Sequence, residues 1–225
     1  MLNTADPARK AAASAALAAA WVEGGMPIGD CSPPAHPARP LRPELLPPRA
    51  MPRRRNFGST AGRTALLHAL AHIELNAIDL AWDIIARFAA SGVPPAFFDD
   101  WGGVAAEEAR HFLLLSERLG AFGTSYGDLP AHDGLWEAAA ATAGDLLARL
   151  AVVPLVLEAR GLDVTPAMAA RLERAGDPQS AAVLQLIYEQ EIGHVAIGRR
   201  WFDFRCRAED LIPAQVFHDR VTRFF

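Results

Sequence analysis

The chain reads as an all-α protein organised as a four-helix bundle, and three observations predict it. Long stretches rich in Ala, Leu, Glu and Arg carry apolar residues at helical spacing, and turn signals stand too far apart for a β-sandwich. The third observation is a polar pattern that occurs twice, a lone Glu followed by a later Glu-x-x-His: Glu74 precedes Glu108 and His111, and Glu158 precedes Glu191 and His194. The separations are 34 residues from Glu74 to Glu108 and 33 from Glu158 to Glu191, as a duplicated helical hairpin with one half-site in each copy would give.

The elements follow from the chain's punctuation. A helix is expected over residues 5–24. Its Ala-rich run from Ala11 to Trp21 follows Arg9 and Lys10 in the manner of a weak signal peptide, but Ala is only mildly apolar and Asp6 falls in the would-be basic region, which favours an amphipathic helix packed on the bundle. From Pro27 to Pro52 the chain is a Pro-rich extended connector, so residues 1–56 form an N-terminal appendage. Helix A starts near Ser59 or Thr60 and runs to about Ser91, ended by Gly92 and Pro94, and helix B runs from near Pro95 to Leu119, closed by Gly120. The stretch from Gly120 to Gly134 is a long crossover of the kind that joins two similar hairpins. Helix C is expected from Gly134 to Arg160 and helix D from Pro178 to about Arg207, which sets the bundle at 57–210. Residues 211–225 form a C-terminal helical segment packing on it, amphipathic from Val216 to Phe225; Phe224 and Phe225 as final residues lead to the expectation that something further packs there or that the chain is shortened.

The stripes decide where the acids point. Glu74 interrupts a seam of Leu67, Leu70, Ala71, Ala77, Ile78, Ala81 and Ile85, and Glu158 follows Leu147, Ala151, Pro154 and Leu155. Glu108 and His111 share a face with Trp101, Val104, Ala105, Phe112 and Leu115, as Glu191 and His194 do with Leu184, Ile187, Tyr188, Val195 and Trp201. Each seam thus sends a carboxylate or an imidazole into a core, where an unpaired charge costs several kcal/mol or is neutralised, roughly. Two divalent cations would balance four carboxylates, with the two imidazoles as neutral nitrogen ligands, and this oxygen-rich set suits iron or manganese.

Other residues carry two readings each. Tyr188, one turn before Glu191, is either a hydrogen-bond donor or redox-active phenol at the metal layer, or a core tyrosine satisfied by a polar neighbour. His68 and His72 lie off the Glu74 seam and suit packing or hydrogen bonding behind the ligands. Pro154, Gly193 and Gly198 loosen helices C and D around the ligands, either to re-aim them or as tolerated breakers. Arg110 and Arg160 adjoin ligands in sequence but point off their faces. Arg39, Arg42, Arg49, Arg53, Arg54, Arg55 and Arg63 form a basic run that would grip RNA phosphates or, with no aromatics between them, form a solvated or acid-paired linker.

Composition suits a soluble cytoplasmic domain: 225 residues, 51% hydrophobic, net charge −4, and only Cys31 and Cys206, far apart in sequence. No apolar run is long enough to expect a membrane span.

With these residues in view, Ala71-His72-Ile73-Glu74-Leu75, Glu107-Glu108-Ala109-Arg110-His111-Phe112, Glu158-Ala159-Arg160-Gly161-Leu162-Asp163-Val164 and Glu191-Ile192-Gly193-His194 resemble the ferritin-like superfamily, in particular a bacterial branch catalogued as a domain of unknown function. The likeness covers roughly residues 57–210 and implies the ferritin-like fold and six metal ligands, Glu74, Glu108, His111, Glu158, Glu191 and His194. A more distant likeness is to di-iron tRNA hydroxylases. The expectation is an oxidoreductase whose two iron (or manganese) ions activate dioxygen toward a small-molecule substrate, re-reduced by an electron donor. The alternative is a non-catalytic metal-binding or iron-handling protein.

Overall fold

Side-chain caps open four of the helices. Asp6 accepts from the Arg9 N–H at 2.8 Å, Ser59 from Gly62 at 3.1 Å, Asp145 from Ala148 at 2.9 Å and Asp177 from Ser180 at 3.1 Å, each satisfying an amide that the helix itself leaves orphaned. Proline, whose missing N–H costs nothing in a first turn, begins the helices at Pro7, Pro95, Pro178 and Pro213.

The structure, a computed structural model, describes residues 1–24, 26–29, 32–51 and 57–225. The helices are α1 (Pro7–Glu23), α2 (Thr60–Phe88), α3 (Pro95–Ala121), α4 (Gly134–Ala141), α5 (Leu146–Val152), α6 (Ala159–Arg174), α7 (Pro178–Ala208) and α8 (Pro213–Phe224), with a six-residue π-turn, Val153–Glu158, between α5 and α6. Among the described residues there is no strand. An isolated bridge at Leu45 and Ala131 ties the connector to the crossover loop. No helix is long and apolar enough to cross a membrane.

α2 and α3 form one antiparallel hairpin, and α6 and α7 a second that meets the first chiefly through α3 and α7. α1 lies on α3 and α2, and α8 covers α5. Two large apolar clusters, with a smaller one around Leu80, Trp136, Ala139 and Val153, fill the interior. One joins Leu67, Leu75, Phe112, Leu115, Leu172 and Leu184; the other joins Ile84, Phe97, Trp101, Leu147, Leu150 and Trp201. On α7, Glu191 and His194 fall between the two large clusters, and on α3 Glu108 stands where one gives way to the other, while Glu74 on α2 lies among Ala71, Leu75 and Ile78 of the first.

The expected single helix C is corrected by the structure. It is broken into α4, α5 and the π-turn, and helix resumes in α6 as far as Arg174. Gly144 and Asp145 stop one helix and cap the next, and Arg149 folds back to donate to Thr142 Oγ1 at 3.0 Å and to Asp83 at 2.6 Å. Pro154 has no N–H for the α-helical bond to Leu150, and the chain widens so that the Ala159 N–H reaches the Pro154 carbonyl five residues back. Helix A likewise ends earlier than expected, at Phe88 rather than near Ser91.

α2 is buried on a second face as well. His68, His72, Asn76, Asp79, Asp83 and Arg87 follow one another at helical spacing, and all but Arg87 are buried. Asp79 receives Lys10 of α1 at 2.5 Å and Arg39 of the connector at 3.3 Å. This polar stripe ties the N-terminal appendage to α2, while Ser14 and Trp21 bond α1 to Ala105 and Asp99 of α3. Of the connector arginines, Arg39 and Arg63 are committed to acids, Arg39 to Asp79 and Asp133 and Arg63 to Asp177. Arg42 and Arg49 are exposed. Arg53, Arg54 and Arg55, like Cys31, lie outside the described residues, while Cys206 is buried in α7.

Candidate metal centre

The six expected ligands come from α2, α3, the π-turn and α7, and all six turn toward one layer. Glu74, Glu108, His111 and His194 are buried, with exposures of 4%, 1%, 0% and 1%. Glu191 keeps 13% of its side chain accessible, and Glu158 is half-buried. Donor atoms of Glu74, Glu108, His111 and Glu191 all lie within 4.8 Å of one another, a spacing that could hold a cation.

Glu108 and Glu191 occupy the shared position. His111 Nδ1 lies 3.4 Å from Glu108 and 3.8 Å from Glu191, while His194 Nδ1 lies 3.0 Å and 3.4 Å from the same two carboxylates. Glu74 belongs to the His111 half, 3.2 Å from its Nδ1. Glu158 belongs to the other half: its charge interacts with Glu191, Glu108 and His194.

The distal ring nitrogens explain why both Nδ1 atoms face inward. His194 Nε2–H donates to Glu107 at 2.8 Å, and His111 Nε2–H donates to Gln190 at 2.9 Å. With the ring proton on Nε2, the Nδ1 lone pair points at carboxylate oxygens, and only a proton or a metal cation between them makes that arrangement favourable. Glu108 Oε2, Glu158 Oε2 and His194 Nδ1 are moreover buried without a hydrogen bond among the described residues. Glu74, Glu108, His111 and Glu191 therefore fit a divalent cation, with His194 against two of the same carboxylates.

Without metal, protons carry the balance. Burial, followed by the charge of Glu108, raises Glu74 well above the usual carboxylate range, and burial with the charges of Glu191 and Glu108 pushes Glu158 up to about 8. Burial opposes the His111 imidazolium, yet the carboxylates of Glu108 and Glu74 beside it outweigh this and raise it to about 11. Burial likewise opposes ionisation of Glu108, but His111 and His194 hold it well below the usual range. The sign of the pH dependence follows. His111 contributes stability that is complete below its ordinary 6.5 and is lost as pH rises toward about 11, while the unfolded chain ionises Glu158 from 4.5 upward and the fold resists this until about 8. The metal-free protein should therefore melt at progressively lower temperature from pH 6.5 to 8.5, and metal uptake over that range should release protons and tighten with pH. Thermal scans of chelator-treated protein that rise with pH would contradict this charge arrangement.

The π-turn is held by a close approach. A Cβ at Gly198 of α7 would meet Pro154 Cβ at 2.5 Å and Cγ at 2.7 Å, so the missing side chain lets the π-turn carrying Glu158 lie against the helix carrying His194. Pro154 and Gly198, read from sequence as separate breakers, are one contact.

Tyr188 is half-buried on α7, three residues before Glu191. His72 and His68 serve the crossover loop: with Nε2–H donated to the His132 carbonyl at 3.1 Å, His72 Nδ1 accepts the Tyr126 hydroxyl at 2.8 Å, and His68 accepts the Gly127 N–H at 2.9 Å. Glu107 and Gln190 were not singled out by the sequence reading. Their shared offset, one residue before the Glu of each Glu-x-x-His, is the signal that finds them.

A Haemophilus influenzae protein described as "Uncharacterized protein" is 42% identical over 192 residues, covering 83% of this chain and 66% of the relative, so the chain spans just under two thirds of that protein's length. No solved structure matches. A family profile matches residues 3–225, a span that includes every residue of the cluster. The chain belongs to the family described as "Protein of unknown function (DUF455)".

Proposed function

We propose that this chain is a ferritin-like, metal-dependent oxidoreductase that holds two iron or manganese ions between its hairpins and uses them with dioxygen to oxidise a small organic substrate. The observation that carries the reading is the convergence of two outward-anchored imidazoles and four carboxylates on one layer with buried atoms left unsatisfied. The bound ions would supply the redox chemistry. The protein's part is to position and to exclude water. Glu108 and Glu191, each within reach of both imidazoles, would be the residues shared by the two ions, and Glu74 and Glu158 would each hold one of them. Apolar residues of both large clusters pack around Glu74, Glu108, His111 and His194 and leave these four almost inaccessible to water. Glu74 and Glu158, at the two ends of the set, would be the ligands able to shift as oxygen binds, one carried by an α-helix and the other by the π-turn.

A non-catalytic iron-handling protein would use Fe²⁺ as its substrate and pass oxidised iron onward. The enclosed layer argues for retention. Reduced protein exposed to oxygen should oxidise about two irons per chain and then stop until a reductant is added. Continuous oxidation of added Fe²⁺ with mineral accumulation would replace the oxidoreductase reading with iron handling.

A further inference from the structure

The two hairpins brace each other's histidines. Glu107 on α3 holds His194 of α7, and Gln190 on α7 holds His111 of α3, so each ring is fixed by the residue preceding the Glu of the opposite Glu-x-x-His motif. The positions correspond under the internal duplication, but the residues differ in charge. One brace is a carboxylate, 44% exposed, and the other is a neutral amide.

We infer that Glu107 and Gln190 are positioning residues that make the two metal positions inequivalent, Glu107 strengthening the ion held by His194 and Glu158, while the ion held by His111 and Glu74 lacks such support. This rests on the dinuclear reading above. The physical reason is that a carboxylate on the distal N–H draws the ring proton toward itself, raises the electron density at Nδ1 and adds a negative charge near that ion; an amide oxygen fixes the ring plane but adds no charge. Because the braces cross, a substitution on α3 should act on the ion held mainly from α7 and the π-turn. A residue that served only its own helix would act on the ion beside it.

Titration of the metal-free protein with Co²⁺ tests this, read by visible absorption and by the hyperfine-shifted proton resonances of the histidine N–H groups. Glu74→Gln identifies the step belonging to the His111 position, and Glu158→Gln the step belonging to the His194 position. Glu107→Gln should weaken the same step as Glu158→Gln by about 10–100-fold, shift one histidine N–H resonance, and leave the other step within about twofold. Gln190→Glu should strengthen the step that Glu74→Gln weakens. Melting temperatures measured without metal keep loss of fold separate from loss of affinity. The inference is overturned if Glu107→Gln weakens both steps equally, weakens the Glu74 step, or changes neither while two equivalents still bind. If the parent protein takes up fewer than two equivalents, the dinuclear reading itself falls.

Discussion

Glu108→Ala is expected to strip most of the metal from the protein. The Glu108 carboxylate is 1% exposed and lies against both His111 and His194, so in the proposed dinuclear site its loss would remove a ligand shared by two positions. It also leaves the remaining buried groups without their balance, since Glu108 is the acid that both imidazoles hold ionised. Elemental analysis should show metal falling from about two ions per chain toward none, with helix content by circular dichroism kept as the control. Glu191→Ala, at the other shared position, should do the same. Unchanged stoichiometry in both variants would refute the ligand assignment.

The largest expected effect on stability lies away from the metal layer. Arg149 and Asp83 form an ion pair at 2.6 Å with side-chain exposures of 1% and 0%, and Arg149 is further satisfied by Thr142 Oγ1 and the Ala139 carbonyl. Asp83→Ala removes the counter-charge and leaves a buried guanidinium, at a cost of about 3–5 kcal/mol. The urea midpoint of the metal-free variant should fall accordingly. A midpoint within error of the parent would mean that the pair is not closed in solution. The pair joins α2 to α5, immediately before the π-turn, so Asp83→Ala should also loosen the half-site that contains Glu158.

The sequence makes the helical outline and the buried Glu and His cluster legible because both are written in periodicity. Glu74, Glu108, His111, Glu191 and His194 interrupt apolar stripes, and a polar group on such a stripe has nowhere to point but inward. Helix C was harder to read. Its Ala and Leu run from 134 to 152 keeps helical spacing straight through Gly144-Asp145, so the stop and restart there are masked by composition. Pro154 announces an irregularity, but its form, a π-turn seated on Gly198, depends on a contact 44 residues away in sequence that no local pattern encodes. The stripe from His68 to Arg87 is also regular in sequence. Only His68 and His72 of it read as packing or hydrogen-bonding residues; its burial depends on the connector and α1 that cover it, because burial of an amphipathic face is decided by what packs against it. The same holds for the connector: Arg39 is indistinguishable in sequence from a phosphate-binding arginine, and its role appears only with Asp79 beside it.

The most direct test of the central claim is crystallographic. Crystals of protein prepared with iron, with data collected on both sides of the iron absorption edge, should show two anomalous peaks in the layer between the hairpins. One peak should lie against Glu74 and His111, the other against Glu158 and His194, with Glu108 and Glu191 touching both. A layer with no peak, or one whose six side chains close on each other while iron lies elsewhere, would contradict the account.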